Sequence, residues 1–147
     1  MSRHELFDEI AKHLLHFADT LAERIAALGF YVEGTARMVG DHTAMPPYER
    51  GAVDGNEHVK ALVDRYARLS AQLRFGIEVS NRLGDPATED LLTGILGDVE
   101  HDLWLLEAHL PVEHAPAVVD RQRQRVAQAG AQRPEPVLVP LEAAADA

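Results

Sequence analysis

Four residues near the start of the 147-residue chain combine types and spacing that suit metal chemistry: His4, Asp8, Asp19 and Glu23. On one helix, with His4 at zero, Asp8, Asp19 and Glu23 fall at about 40°, about 60° and about 100°. All four then share one side, beside an apolar stripe of Leu6, Ile10, Leu14, Phe17, Leu21, Ile25 and Leu28 centred at about 260°. One borderline imidazole with three hard carboxylates favours iron, manganese or zinc over calcium or copper(I). Distance along the helix divides the set. His4 and Asp8 are one turn apart, as are Asp19 and Glu23, but roughly 16 Å of helix separates Asp8 from Asp19. One ion with ligand bonds of about 2 Å cannot bridge that gap, so each pair is half a site. A second copy lying antiparallel across a two-fold axis would bring each His4/Asp8 pair onto the partner's Asp19/Glu23 pair, giving two identical sites about 22 Å apart. A solvated helix face explains the same residues more simply, with Lys12 and Arg24 pairing with Asp8, Asp19 or Glu23 at surface salt-bridge strength.

Other polar clusters are weaker. Asp85, Glu89 and Asp90 open a later helix, where capping and dipole complementarity account for acidic residues in general. His101 with Asp98 and Asp102 has metal-ligand spacing on a helix, and a solvated face explains it equally well. His13 and His16 lie off the ligand arc, at about 180° and about 120°, and read as surface or interface residues. Trp104 continues the Leu103–Leu106 apolar patch and reads as core. His42, His109 and His114 carry no pattern.

Helices are what must position these residues. The first runs from about Arg3 to Leu28 and stops at Gly29. A connector follows, with a short helix across Thr35–Val39 and a loop stiffened by Pro46-Pro47. The second long helix runs from about Asn56 to Leu83, with Val59, Leu62, Val63, Tyr66, Leu69, Leu73 and Ile77 on its apolar stripe. Gly84 stops it, Asp85 caps the next and Pro86 occupies that helix's first position. The third long helix extends to about His109, with Leu91, Leu92, Ile95, Leu96, Val99, Leu103, Trp104 and Leu106 buried, and Pro111 closes it. No segment alternates as a strand would, so the fold class is all-α. Long helices usually pair into four-helix bundles, and only three are encoded here. The tail, a partner subunit or an absent N-terminal segment must then cover the remaining side.

Composition bounds the function. There is no cysteine, which excludes disulfides and thiolate chemistry. No apolar run reaches the roughly 18 residues of a membrane span, and Met1–Glu5 does not resemble a signal peptide. A formal charge of −10 repels nucleic acid at long range and attracts cations. Residues 1–110 hold 19 acidic and 10 basic residues, while residues 111–147 hold five of the eight prolines. The domain organisation is therefore a helical body over 1–110 and a Pro/Ala/Gln/Arg-containing tail over 111–147, expected to be extended or flexible. In the tail Arg121, Arg123, Arg125 and Arg133 alternate with Gln and precede Glu135, Glu142 and Asp146, the pattern of a solvated linker rather than a DNA-binding arm.

His4-Glu5-Leu6-Phe7-Asp8 followed by Asp19-Thr20-Leu21-Ala22-Glu23-Arg24 resembles the ferroxidase motif of the Dps (starvation-induced DNA-protection) proteins, the mini-ferritins. The order His-x3-Asp-x10-Asp-x3-Glu continues into Leu28-Gly29 and Gly34-Thr35 in that family's manner. His58–Tyr66 and Asp98–Trp104 are similar to segments of its third and fourth helices, so the resemblance covers about residues 3–110. It implies a ferritin-like four-helix-bundle fold and a hollow homo-oligomer, a dodecamer, with the iron site shared across a two-fold dimer interface. His4 and Asp8 would come from one subunit, Asp19 and Glu23 from its neighbour. Fe(II) would be oxidised, preferably by hydrogen peroxide, and stored as ferric mineral in a cytoplasmic protein of the oxidative-stress response. Asp85, Glu89 and Asp90 would line pores through which iron enters, Asp90 more than the others.

The chain departs from the family at its start. It begins where the family's second helix begins, without the first helix, a further His that joins the site from it, or the lysine-rich arm that holds DNA. The expectation is a fragment or mis-started chain, with DNA binding not favoured. The rival expectation is a non-catalytic helical scaffold or assembly subunit that lost ferroxidase activity with its first helix.

Overall fold

The computed structural model describes residues 2–48, 51 and 53–111. The tail beyond Pro111, including its four arginines and His114, lies outside the described residues. Within them the chain forms α1 (Arg3–Ala27), α2 (Ala36–His42), α3 (Gly55–Leu83) and α4 (Pro86–Ala108), with no strand. The all-α expectation holds, with the long helices within a residue or two of their expected ends. The short connector helix sits later than expected, at Ala36–His42 rather than Thr35–Val39, because Thr35 is its cap: the Thr35 side chain accepts from the Met38 N–H.

Each long helix begins and ends for a local reason. Ser2 caps α1 in a reciprocal box: the Glu5 N–H donates to Ser2 Oγ at 3.3 Å and the Ser2 N–H to Glu5 Oε2 at 2.7 Å. Past α1, Gly29 takes φ 87°, so that the Phe30 N–H reaches the Ile25 carbonyl and the Gly29 N–H that of Ala26. Gly84 repeats this at the end of α3 with φ 70°, its N–H bonding to Asn81 and that of Asp85 to Ser80. Both positions need the left-handed region that glycine enters without steric cost.

Among the described residues the buried apolar side chains form one cluster. Leu6, Ile10 and Phe17 come from α1, Val59, Val63, Tyr66 and Leu73 from α3, and Ile95, Leu96, Val99 and Leu106 from α4. The middle element is α4. It packs against α3 as a tight antiparallel hairpin and against α1 on another side, while no close backbone approach joins α1 to α3. Arg24, near the end of α1, reaches Asp85 at the start of α4, so these two helices also run antiparallel. Near the start of α1, Arg3 donates to Asn56 in the first turn of α3 at 2.7 Å, which makes α1 and α3 parallel.

Two sequence expectations about burial are corrected. Trp104 is not core: it is 55% exposed, because the buried side of α4 follows Ile95, Val99, Asp102 and Leu106 and places Trp104 nearly opposite. On α1, Leu14, Ile25 and Leu28 are exposed together with Leu15, so only part of the expected stripe is covered within one chain.

Candidate metal centre

All four expected ligands lie on α1 and all four are exposed. The buried residues of α1 centre at about 220° on the same wheel, so the ligand arc points almost directly away from the core. Within one chain, then, the ligands expected beside the apolar stripe face outward. His4 and Asp8 sit in the first two turns, Asp19 and Glu23 in the last three, and the roughly 16 Å between the pairs is unbroken helix. Among the described residues no three His, Asp or Glu side chains of a single chain gather closely enough to hold an ion.

The surface ion pairs expected as the simpler explanation form elsewhere. Lys12 pairs with Glu9 at 2.7 Å, one turn back. Arg24 turns to α4, where Nη2 donates to both Asp85 oxygens at 2.7 and 2.9 Å and Nε to Thr88 Oγ1 at 2.9 Å. Neither cation bonds to Asp8, Asp19 or Glu23, which keep their carboxylates free of ion pairs among the described residues. Carboxylates left unneutralised one turn from an imidazole or from each other are suited to a divalent cation.

The acidic start of α4 is divided in its roles. Asp85 is the N-cap: it accepts from the Thr88 hydroxyl and Thr88 N–H as well as from Arg24, and these bonds hold its carboxyl down at about 2. Its oxygens are thus already engaged within the chain. Glu89 accepts from Asn81 Nδ2 at 3.1 and 3.3 Å. Asp90 is exposed. Of the three expected pore residues it has the carboxylate least committed to the fold.

One polar site was missed by spacing. Asp102 was expected on a solvated face with Asp98 and His101; instead it is 1% exposed, and His13 Nδ1 donates to its two oxygens at 2.9 and 3.0 Å. Next to it lies the buried hydroxyl of Tyr66 on α3. Burial, and then the facing Asp102 carboxylate, push that phenol well above its ordinary range. A sequence signal existed, since Asp102 occupies a core position in the Ile95, Val99, Asp102, Leu106 series. His101 and Trp104 instead form an exposed ring pair 5.8 Å apart. A second unanticipated contact fastens the connector to α3. The Tyr48 ring stacks on His58, its hydroxyl lies 2.7 Å from His58 Nδ1, and Arg65 covers the Tyr48 ring while donating to the Pro46 and Pro47 carbonyls.

Comparison with known proteins agrees with this architecture. The family model for the ferritin-like domain matches residues 2–114. The chain is 35% identical over 107 residues to a DNA protection during starvation protein of Agrobacterium fabrum, covering 73% of this chain and 66% of that protein. It therefore spans just under two thirds of that relative's length. General stress protein 20U of Bacillus subtilis is 28% identical over 107 residues, covering 73% of each chain. The crystal structure of Dps from Staphylococcus aureus superposes with a TM-score of 0.69 at 27% identity, covering 75% of this chain and 73% of that one. With its helices in this order and this arrangement, the chain belongs to the ferritin-like family, in its Dps branch.

Proposed function

We propose that the chain is an iron-storage and detoxification subunit, a ferroxidase that oxidises Fe(II) at sites shared across a two-fold dimer interface. His4 and Asp8 of one subunit and Asp19 and Glu23 of its neighbour supply the ligands. The observation that carries this reading is the exposed ligand face of α1, with Lys12 and Arg24 paired with Glu9 and Asp85 instead. Fe(II) and Fe(III) are substrate and product. Carboxylates stabilise the harder ferric ion more than the ferrous one, which makes the iron easier to oxidise at this face. Hydrogen peroxide is the preferred oxidant: two Fe(II) ions each release one electron, peroxide takes both electrons together with two protons from solvent, and two water molecules form without hydroxyl radical. The ferric product is stored in the cavity of a homo-oligomer, a dodecamer as in the family resemblance.

A net charge of −10 favours cation entry to such an assembly, and Asp90 is the pore residue best placed to contribute. The same charge opposes DNA binding at long range. Among the described residues no helix is long and apolar enough to cross a membrane, and we place the protein in the cytoplasm.

The decisive experiment is Asp19→Ala with Glu23→Ala, read by light scattering and by ferric absorbance after addition of Fe(II) and peroxide. Loss of half the ligands should slow oxidation by about 10- to 100-fold while leaving assembly mass unchanged, the scale seen when groups supporting a metal site are removed. An unchanged oxidation rate would favour the alternative, an assembly subunit of ferritin-like fold without ferroxidase activity.

A further inference from the structure

The connector between α1 and α3 carries a ligand set of another kind from the face of α1. Apart from Met1 the chain has two methionines, Met38 and Met45, and they flank His42 in the order Met-x3-His-x2-Met. Along residues 29–48 these two methionines are the only residues that are not exposed. Phe30, Tyr31 and Val39, apolar residues of the same stretch, are 63% to 87% exposed. General apolar collapse therefore does not account for the shelter of the two thioethers, and no close backbone approach joins α2 to another helix. The local geometry also prepares His42 as a ligand. Its Nδ1 lies 3.0 Å from the Met38 carbonyl oxygen. A carbonyl only accepts, so Nδ1 carries the proton and donates it, and the lone pair of the neutral ring sits on Nε2. Metal-ligating imidazoles commonly donate their second N–H to a carbonyl in this way. The same bond folds the ring back along α2 toward Met38, which lies one turn earlier on the same face. Met45 follows His42 within about 10 Å of extended chain. It is held there: the Met45 N–H donates to Thr43 Oγ1 at 3.2 Å, and the carbonyls of Pro46 and Pro47 accept from Arg65 on α3.

We propose that Met38, His42 and Met45 form a binding site for the soft monovalent cation Cu(I), with the two thioether sulfurs and His42 Nε2 as its ligands. Thioether sulfur is neutral and polarisable, and it selects Cu(I) over harder ions such as Fe(II) and Mn(II). The set contributes no negative charge, which suits an ion of charge +1 better than one of +2. Methionine turns about three side-chain bonds, so both sulfurs can close on an ion from a short connector. The imidazole is already oriented by its bond to the Met38 carbonyl, so less ordering is left for the ion to bring about. None of the three residues belongs to the ligand face of α1, and the site needs neither a partner subunit nor iron. The chain then separates metals by hardness: carboxylates on α1 take iron, and thioethers on the connector take copper.

The test uses the full chain without iron, so it is independent of the iron-oxidation reading. Tetrakis(acetonitrile)copper(I) is titrated under argon in competition with bicinchoninate, and the loaded chain is measured by X-ray absorption at the copper K-edge. One tightly held Cu(I) per chain is expected, with sulfur and nitrogen neighbours; the chain has no cysteine, so those sulfurs belong to methionine. Met38→Leu/Met45→Leu keeps side-chain volume and should leave folding intact. It should weaken Cu(I) binding by at least about tenfold, the lower end of the loss when a group that merely supports a metal is removed, and strip sulfur from the copper spectrum. His42→Gln should weaken binding similarly while sulfur neighbours remain. Asp19→Ala/Glu23→Ala should bind Cu(I) as the parent does, so this site and the iron face fail separately. Copper with only nitrogen and oxygen neighbours, parental affinity in the folded methionine double variant, or loss of Cu(I) binding in Asp19→Ala/Glu23→Ala would each overturn the proposal.

Discussion

Asp85 joins three functions in one carboxylate: it caps α4, bonds to the Thr88 hydroxyl and receives Arg24 from α1. Bonds to the ionised form hold its pKa at about 2, below the usual aspartate value of about 4. The folded chain therefore binds this proton less readily than the unfolded chain does. The resulting stabilisation is fully present above about pH 4 and is lost as the pH falls toward about 2. Thermal melts across this range should show a steeper loss of Tm for the parent than for Asp85→Asn, whose side chain does not titrate. Arg24→Ala should lower Tm at pH 7 and weaken the same acid dependence, because its partner retains only the Thr88 bonds.

At the scale of elements, α4 links its neighbours and α1 is the lighter attachment. Three buried side chains hold α1 to the rest, and Leu6, in its first turns, is the one fully enclosed. Leu6→Ala should cost about 2–5 kcal/mol in urea denaturation, whereas Leu15→Ala, on the exposed side, should stay within about 0.5 kcal/mol in the isolated subunit. The glycines of the hairpin separate in the same way. A Cβ at Gly76 would stand 2.9 Å from Leu92 Cδ1, while one at Gly97 would meet nothing within 4 Å. Gly97→Ala should then gain about 0.5–1 kcal/mol from helix propensity, and Gly76→Ala should gain less or destabilise, as urea midpoints would report. Helix stops and the α4 cap were legible in the sequence because Gly29, Gly84 and Asp85-Pro86 act on backbone a few residues away, whereas the Ser2–Glu5 box of α1 emerged only with the structure.

For the whole molecule, the exposed apolar residues matter most. Leu14, Leu15 and Ile25 on α1 and Leu28, Phe30 and Tyr31 just beyond its end are all exposed. Leu15, 73% exposed, lies at about 20° on the α1 wheel, within the ligand arc, and between the His4/Asp8 and Asp19/Glu23 pairs along the helix axis. Pairing of α1 with its copy would cover it. Light scattering is expected to give a mass near twelve subunits for the parent, and Leu15→Glu should lower both that mass and the rate of iron oxidation. A Leu15→Glu chain with unchanged mass would exclude this face of α1 as the subunit contact.

Fold class and the ligand arc of His4, Asp8, Asp19 and Glu23 were determined by the sequence itself, because helix periodicity, caps and angular position are local properties of the chain. Which polar residues are buried, and which charges meet, was decided only by the tertiary structure. His13 and Asp102 are 89 residues apart, Arg24 and Asp85 are 61 apart, and the outward side of α4 that carries Trp104 is set by where α1 and α3 pack. Burial depends on which distant element covers a helix face, and neither spacing nor periodicity within one helix contains that information.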